Sequence, residues 1–319
     1  MTSAGSGDPA PIHIVVATDR AYLPWTATLL LSALDRHDPG ALIVHLLHGG
    51  DVPDTDAQLL DGLVSRGGGT LLSHVVSDER IDALRRPSSG GWVTWYRLVV
   101  PDVLGGVGRV VLLDGDTFIC EPLGPLWTTA LDDSPLAAVA NVVEPSKRGR
   151  VRALGIADPR TYFNAGVLLM DLDRLRSEDA SSAMLRFAAE NAHRISWLDQ
   201  DTLNVVFNQR WKPLHPRWNA MNSLWTWASW AREVFGADAV REATQAPAVL
   251  HFEGPAMRKP WHYLNDHPWR DAYRATLART PWASTPITDD TPAVHFIARL
   301  PRAWRFRAYW RWTKLRKKT

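Results

Sequence analysis

The stretch RVVLLDGD, residues 109–116, joins an apolar run directly to two carboxylates. Four consecutive apolar residues are typical of a strand that is buried on both faces. Because side chains alternate along a strand, Asp114 and Asp116 can project to the same side of its end, with Gly115 adding no bulk between them. Two carboxylates so placed suit a divalent cation such as Mg²⁺ or Mn²⁺. The alternative is a solvated turn, which Asp-x-Asp often forms.

Strand and helix patterns alternate before this stretch. Apolar runs predict strands at 12–18, 41–47 and 70–76, and apolar residues at helical spacing predict helices at 25–36 and 56–65. This alternation predicts an open, Rossmann-like α/β sheet, largely parallel, with helices on both faces. Ligands bind such sheets beyond the carboxyl ends of the strands. No Gly-x-Gly-x-x-Gly follows the first strand, which argues against a dinucleotide-dependent oxidoreductase.

The rest of the chain is less regular. The patterns predict a loop at 86–92, a helix beginning within 93–100, a mobile polar connection or lid at 144–160, and strands at 162–171 and 249–252. The helix should carry Tyr96 and Arg97 toward the carboxylates of the opening stretch. No internal repeat is evident.

Composition indicates a soluble, intracellular chain. Of 319 residues, 45% are hydrophobic and 22% charged, and no stretch approaches the roughly 20 apolar residues of a membrane span. Residues 1–11 are small and polar, so we expect a flexible N-terminus without a signal peptide. The single cysteine, Cys120, is expected to be a small buried residue in a reducing cytoplasm.

The net charge of +2 conceals a basic C-terminal tail at 299–319, with nine Lys and Arg and no acid. The rest of the chain has 27 basic and 34 acidic residues, a net charge of −7, which argues against nucleic acid as its ligand. The tail interleaves these charges with five aromatic residues: Trp304, Phe306, Tyr309, Trp310 and Trp312. In a helix, Phe306, Tyr309 and Trp310 would share one face, and Trp304 and Leu315 would lie nearly opposite. This pattern favours a peripheral anchor on an anionic membrane surface, at the inner face of the cell membrane. The alternatives are a disordered solubilising tail and a helix that binds nucleic acid.

Further clusters accompany the Asp pair in a fixed order. They are Tyr96-Arg97-Leu98, Asn164-Ala165-Gly166, residues 199–204 (DQDTLN), residues 251–255 (HFEGP) and Lys259-Pro260-Trp261. In this order and spacing the chain resembles glycosyltransferase family 8, which includes glycogenin and bacterial lipooligosaccharide galactosyltransferases. The resemblance runs from Ile12 to Trp261. It implies a GT-A fold at 12–298, with an open mixed sheet flanked by helices, and transfer of a hexose with retention at the anomeric carbon.

The resemblance also implies the ligands of the site. Asp114, Asp116 and His251 match the three metal ligands of the family, and the imidazole shifts the preference from Mg²⁺ toward Mn²⁺. Gly254 and Lys259 match positions beside the diphosphate of a nucleotide-sugar donor, usually a UDP-sugar. Met257-Arg258 is inserted between them relative to the galactosyltransferases, so Arg258 could share or replace the contact of Lys259.

The nucleotide end of the donor corresponds to the end of the first strand. By resemblance, Asp19 accepts a hydrogen bond from the uracil and Tyr22 stacks on its ring. Ala17, Thr18 and Gly115 belong to the same nucleotide-binding set. Arg20-Ala21 departs from the usual polar pair, which weakens the expectation of ribose contacts there.

Residues around the donor sugar are expected to carry the catalysis. Arg97, Asn164 and Asp199 match family positions that contact the sugar, and Gln200 faces the reacting carbon. Gln200 is a poor nucleophile, so we expect a front-face substitution; double displacement through Asp199 is the alternative. Asn141 stands where the galactosyltransferases carry an acid, so their sugar preference does not transfer. The competing class is a nucleotide-sugar-binding protein without turnover.

Simpler interpretations remain for single residues. His251 could be an ordinary core histidine, Asp199 a helix N-cap, Asn164 a turn residue, Tyr22 a packing residue and Lys259 a surface lysine. Four tryptophans are concentrated in one segment, at 218, 225, 227 and 230. They form either a platform for a sugar acceptor or ordinary core packing. The sequence leaves the donor sugar, the acceptor and the oligomeric state open.

Overall fold

The computed structural model of the chain describes residues 10–77, 79–84 and 92–316. The N-terminus predicted at 1–11 and the loop predicted at 86–92 lie outside this part, except for residues 10, 11 and 92. The described strands are β1 (Ile12–Ala17), β2 (Leu42–His48), β3 (Thr70–Val75), β4 (Arg109–Leu113), β5 (Thr117–Ile119), β6 (Leu136–Ala140), β7 (Phe163–Asp171), β8 (Trp211–Pro213), β9 (Ala220–Met221) and β10 (Val249–His251).

These strands form one large and one small sheet. The large sheet has seven strands in the order β3-β2-β1-β4-β7-β6-β8, and the small sheet has the order β5-β10-β9. Strands β1 to β4 of the large sheet are parallel, whereas β7 is antiparallel to β4 and β6. The expected open α/β sheet is therefore confirmed as a mixed sheet. The antiparallel register pairs Leu113 with Val167, which brings the start of β7 beside the Asp pair after β4.

Helices cover both faces of the large sheet. They are α1 (Leu23–Leu34), α2 (Asp54–Arg66), α3 (Glu79–Asp82), α4 (Val100–Val103), α5 (Gly124–Trp127), α6 (Pro145–Ala153), α7 (Leu172–Ser177), α8 (Ala180–Glu190), α9 (Leu198–Val206), α10 (Ser223–Thr226), α11 (Ala228–Phe235), α12 (Ala237–Gln245), α13 (Arg270–Leu277), α14 (Pro292–Ala298) and α15 (Arg302–Arg316). All residues of α1 are buried, because it packs against the large sheet on one side and against β5 and α13 on the other.

Two predicted segments differ in detail from the structure. The helix expected at 93–100 is a 3-10 helix over Trp92–Val99, followed by α4. The segment at 144–160, expected to be a connection or lid, contains helix α6. Val151 of α6 is buried, and Arg150 of α6 donates to Asp201 Oδ2 at 2.7 Å, so this helix is held against the rest of the domain.

Cys120 is partly buried, and burial raises the pKa of its thiol to about 12.

The C-terminal tail is a helix that packs on the body over its described part. Tyr309 and Trp312 of α15 contact the buried cluster of Leu264, Val294 and Ile297. The Tyr309 hydroxyl also donates to Asp289. A disordered tail is therefore wrong for residues 302–316. Among the described residues, none of the helices combines the length and apolar character needed to cross a membrane.

A ladder of three histidines runs across β1, β2 and β3, from the start of β1 to near the end of β3. His13 Nδ1 lies 2.9 Å from His45 Nε2, and His45 Nδ1 lies 3.0 Å from His74 Nε2. In each such N–H···N bond the accepting ring must be neutral, since a protonated imidazole has no acceptor nitrogen. Burial, with the two neighbouring histidines, lowers the pKa of His45 to about 4.

We expect this ladder to make the fold sensitive to acid. Histidine in the unfolded chain takes up a proton near pH 6.5, and buried His45 only near pH 4, so the free energy of unfolding should decline as the pH falls between these values. His45 alone should contribute about 2 kcal/mol of this loss between pH 7.5 and pH 5. Urea denaturation at pH 7.5 and at pH 5 measures this loss in the free energy of unfolding. A His45→Gln variant should flatten the dependence, and His193→Gln, at an exposed histidine, should not.

Candidate active site

The Asp pair meets a histidine where the two sheets join. Asp114 and Asp116 follow β4, and the pairing of β5 with β10 places His251 opposite Thr117. His251 Nε2 lies 3.6 Å from Asp114 Oδ2 and 3.4 Å from Asp116 Oδ1. One ligand atom from each residue lies within 4.8 Å of the others, so this cluster could bind a metal ion. A solvated turn is excluded for Asp116, because its side chain is buried.

His251 is oriented by a chain of amides that the sequence did not indicate. Its Nδ1 lies 3.0 Å from Asn219 Oδ1, and Asn219 Nδ2 donates to Asn164 Oδ1 at 2.9 Å. When Nδ1 carries the proton and donates it to Asn219, the Nε2 lone pair points toward the two carboxylates. Such outer partners fix the ring and tautomer of metal-binding histidines.

Gly166 lies against the same imidazole. A Cβ atom on this residue would stand 2.2 Å from His251 Cε1, 2.6 Å from His251 Nδ1 and 2.9 Å from Asp114 Oδ2. These separations are far below van der Waals contact, so only glycine fits at this position of β7, next to the cluster. The glycine of the Asn164-Ala165-Gly166 motif is thus a steric requirement of the site.

Arg97 joins the cluster to a second buried carboxylate. Its NH2 group lies 2.5 Å from Asp114 Oδ1, and its Nε lies 2.9 Å from Asp199 Oδ2. Burial raises the pKa of Asp199 to about 6, although the adjacent guanidinium opposes this shift. Asp199 is not a helix N-cap, because α9 begins at Leu198 with Trp197 in the capping position.

Lys259 is an inward-facing partner of the cluster. Its ammonium group forms an ion pair with Asp116, and the side chain is largely buried. Burial alone would raise the pKa of Asp116, but Lys259 and His251 together hold it below its usual value. An ordinary surface lysine is therefore excluded. Lys259 stands beside the anionic centre, where a phosphate group of a ligand would also meet it.

Two spaces open on either side of the cluster. The first cavity, of about 250 Å³, is lined by seven residues predicted for the nucleotide end or the metal: Ala17, Thr18, Asp19, Tyr22, Asp114, Gly115 and Asp116. Asp19 Oδ1 accepts from the backbone N–H of Tyr22 at 2.8 Å, which leaves its other oxygen available to a ligand. A Cβ on Gly115 would stand 3.0 Å from Tyr22 Cδ1, so glycine permits the close approach of this ring.

The second space, which we call the central cleft, has a volume of about 450 Å³. Several residues singled out from the sequence line it, including Asn141, Asn164, Asp199, Gln200, Gly254 and Arg258. Asp114 and Arg97 line both spaces, so the cluster stands at their junction. Gly254 has a φ of +96°, in the left-handed region that favours glycine.

Gln200 is held in place at the floor of the cleft. Its Oε1 accepts from the backbone N–H of Ala165 at 3.1 Å, and its Nε2 donates to the Tyr162 hydroxyl at 3.2 Å. Tyr162 in turn donates to buried Asp201 at 2.6 Å. These bonds fix the amide, so Gln200 presents a defined polar surface to the cleft.

Aromatic residues form the outer walls of the cleft. Trp197, Trp227 and Phe306 line it, and the last of these belongs to the tail helix α15. Of the four clustered tryptophans, Trp227 therefore faces the site, whereas Trp218 packs against the core of the large sheet. Residues Asn219 and Phe306 were not predicted for the site, because each reaches it through a long-range contact that no local pattern records.

Comparison with known proteins identifies the family of this site. The family model described as Glycosyl transferase family 8 matches residues 13–265. The chain belongs to glycosyl transferase family 8. This membership confirms the resemblance and the prediction of an enzyme of the retaining hexosyltransferase class.

Several known proteins are similar over most of the chain. General stress protein A of Bacillus subtilis is 26% identical over 284 residues, which cover 85% of this chain and 94% of that protein. Lipopolysaccharide 1,3-galactosyltransferase of Salmonella typhimurium is 24% identical over 290 residues, 88% of this chain and 82% of that protein. The crystal structure of the galactosyltransferase LgtC with donor and acceptor sugar analogues superimposes with a TM-score of 0.75 at 24% identity, over 92% of this chain and 99% of that one. The last comparison confirms the GT-A type fold.

Proposed function

We propose that the protein transfers a hexose, galactose or glucose, from a UDP-sugar to a hydroxyl of a glycan, glycolipid or small-molecule acceptor, with Mn²⁺ as the metal. The observation that carries this proposal is the position of the Asp114, Asp116 and His251 cluster, at the junction of the first cavity and the central cleft. A donor placed across that junction has its nucleotide in one space and its sugar in the other.

The donor set of the cluster fits a divalent cation. Two carboxylate oxygens and one imidazole nitrogen are available, and the mixture of oxygen and nitrogen favours Mn²⁺ over Mg²⁺. When bound there, the cation would neutralise charge on the diphosphate and assist departure of UDP by Lewis-acid action. Lys259 supplies a further positive charge at the same place, and Gly254 allows the backbone to approach closely.

The remaining residues are assigned to the two halves of the donor. Asp19 and Tyr22 at the first cavity suit the uracil, with Ala17 and Thr18 beside them. In the central cleft, the buried groups of Arg97, Asn164 and Asp199 suit sugar hydroxyls, and the fixed amide of Gln200 faces the reacting carbon in the proposed front-face substitution.

The function is tested by a donor panel. The purified chain is incubated with Mn²⁺ and each of several UDP-hexoses, and UDP release is measured with and without mixtures of sugar acceptors. We expect release with one or two donors, increased by an acceptor. Binding of a UDP-sugar without any UDP release would instead indicate a nucleotide-sugar-binding protein.

The amide chain behind His251 gives a separate prediction. An Asn219→Ala variant removes the acceptor of the His251 Nδ1–H and one of the two donors to Asn164 Oδ1, so the imidazole loses its fixed tautomer. We expect the Mn²⁺ concentration for half-maximal UDP release to rise by about 10- to 100-fold. Asn191→Ala is the control, because that amide bonds only near the end of α8. An unchanged Mn²⁺ midpoint in the Asn219 variant would contradict this role.

We also propose that α15 binds the surface of an anionic membrane. Six exposed side chains share its outer side: Trp304, Arg307, Trp310, Arg311, Lys314 and Leu315. The relative exposures of Trp304, Trp310 and Leu315 are 65%, 53% and 68%. A basic stripe with aromatic residues on its flanks suits the interface of a membrane with anionic lipids. Tyr309, expected to share a face with Phe306 and Trp310, instead turns toward the body.

Point variants test this attachment better than removal of the helix, because α15 also packs on the core. The triple change Trp304→Ala, Trp310→Ala and Leu315→Ala should weaken co-sedimentation with phosphatidylglycerol vesicles by more than about tenfold, since apolar area no longer enters the interface. Vesicles of phosphatidylcholine alone should bind weakly in both cases. Equal sedimentation of variant and parent with the anionic vesicles would refute the attachment.

A further inference from the structure

A third space lies beside the central cleft, between helix α15 and the body, and we call it the basic cavity. Its volume is about 290 Å³. Helix α15 lines it with Arg302, Arg305 and Phe306, and the body contributes Arg258 and Trp225 among others. Since Arg258 and Phe306 also line the central cleft, the two spaces adjoin. Arg258 and Phe306 therefore stand between the central cleft and the basic cavity.

The lining of the basic cavity carries an excess of positive charge. Three guanidinium groups face one carboxylate, Asp266, whose Oδ2 lies 2.7 Å from Arg302 Nε. Neither Arg258 nor Arg305 forms an ion pair with any residue that the structure describes. His267 adds no charge near neutral pH, because burial and the nearby Arg302 lower its pKa to about 4. Two cationic groups thus remain for an anionic ligand.

Both of these arginines are held by contacts that leave donors unused. Arg258 NH1 donates to Thr226 Oγ1 at 3.1 Å, and its guanidinium lies 5.3 Å from the centre of the Trp227 ring. Arg305 Nε donates to the backbone oxygen of Leu300 at 2.9 Å, which leaves its two terminal amino groups. A guanidinium group that is already held by such contacts loses less conformational entropy on binding a ligand than a freely moving one. Its planar set of N–H donors matches the oxygens of a phosphate.

We propose that the basic cavity binds a phosphate group of the acceptor, at a distance from the hydroxyl that receives the sugar. This inference rests on the proposed function, since it requires an acceptor in the central cleft. A sugar phosphate and a lipid-linked sugar phosphate both present this group. The aromatic walls formed by Trp225 and Phe306 suit the sugar ring or the first carbons of a lipid that adjoin it. A neutral acceptor would leave the two guanidinium groups without a counter-charge.

The test compares charged and neutral acceptors in the UDP-release assay, with the donor identified by the panel. Hexose phosphates are matched with the corresponding methyl hexosides. We expect the best phosphate to exceed its neutral counterpart by at least about tenfold in kcat/KM. Arg305→Gln should abolish this preference, while release with the methyl hexosides and release without an acceptor stay unchanged. Arg307→Gln, on the outer side of the same helix, is the matched control and should keep the preference.

Binding of the same hexose phosphates is followed in parallel by thermal shift, which does not depend on turnover. We expect a rise in Tm that Arg305→Gln removes. Equal use of charged and neutral acceptors, or an equal loss with both in Arg305→Gln, overturns the inference while the transferase function stands. Inorganic phosphate or short-chain phosphatidylglycerol that binds as strongly as any hexose phosphate also overturns it, because the site would then be a general anion or lipid-headgroup site. If no donor yields UDP, the proposed function fails. In that case the thermal shift still tests the basic cavity, and the absence of a rise in Tm with every hexose phosphate refutes phosphate binding there.

Discussion

Replacing Asp116 with asparagine should reduce UDP release by about 10²- to 10³-fold, the range found when one charged or dipolar stabiliser of a transition state is removed. The amide has the same shape but no negative charge, so it contributes less to holding a divalent cation between Asp114 and His251. It also leaves the largely buried ammonium group of Lys259 without its anionic partner. The rate of UDP release at saturating Mn²⁺ measures this loss. The rise in Tm on adding Mn²⁺ should also be smaller than in the parent protein.

The control for this change is Asp271→Asn on helix α13. The Asp271 side chain is 82% exposed and, among the described residues, forms an ion pair only with its neighbour Arg270, so its loss should leave both UDP release and the response to Mn²⁺ intact. An Asp116→Asn enzyme that keeps more than about a tenth of the parent rate would place the metal elsewhere.

The second large effect is expected from one added methyl group. In Gly166→Ala the new Cβ would overlap His251 Cε1 and Nδ1 and approach Asp114 Oδ2. Neither neighbour can retreat freely, since Asn219 holds the imidazole and Arg97 holds the carboxylate. We expect a loss of about 1–3 kcal/mol in the free energy of unfolding from overpacking. Displacement of the cluster by even about 1 Å should cost about a hundredfold in activity.

Gly149→Ala is the matched control, because no atom of the described residues lies within 4 Å of a Cβ built there. Gly149 lies inside helix α6, where alanine should add roughly 0.5–1 kcal/mol of stability and leave activity unchanged. Urea denaturation and UDP release of the two variants separate a general effect of alanine from the specific clash. Full activity in Gly166→Ala would show that His251 does not need its present position.

The elements whose signals are local were predictable from the sequence. The apolar run at 110–113 lies in strand β4 and places Asp114 and Asp116 just beyond its end. The first three strands and the first two helices differ from the prediction only in their end residues, because each shows the periodicity of its own element. His251 lies far along the chain from the Asp pair, so periodicity could not join them, and its place was found through the resemblance.

Contacts made by short or irregular elements were not predictable. Strand β9 has two residues, and the position of Asn219 just before it depends on pairing with β10. Tyr309 was assigned to the same helical face as Phe306 and Trp310. Its hydroxyl turns inward because Asp289 of the body accepts its hydrogen bond, and a helical projection of the tail contains no information about that partner.

Helix α15 brings Phe306 into the wall of the central cleft, although it lies beyond the residues that the family model matches. A version of the chain that ends before Arg302 would lack this helix. For this chain, such shortening would remove one side of the entrance through which an acceptor arrives, along with any attachment to lipid. Acceptor profiles measured on a shortened protein would therefore describe a wider entrance, and the full-length chain is the form whose selectivity is worth measuring.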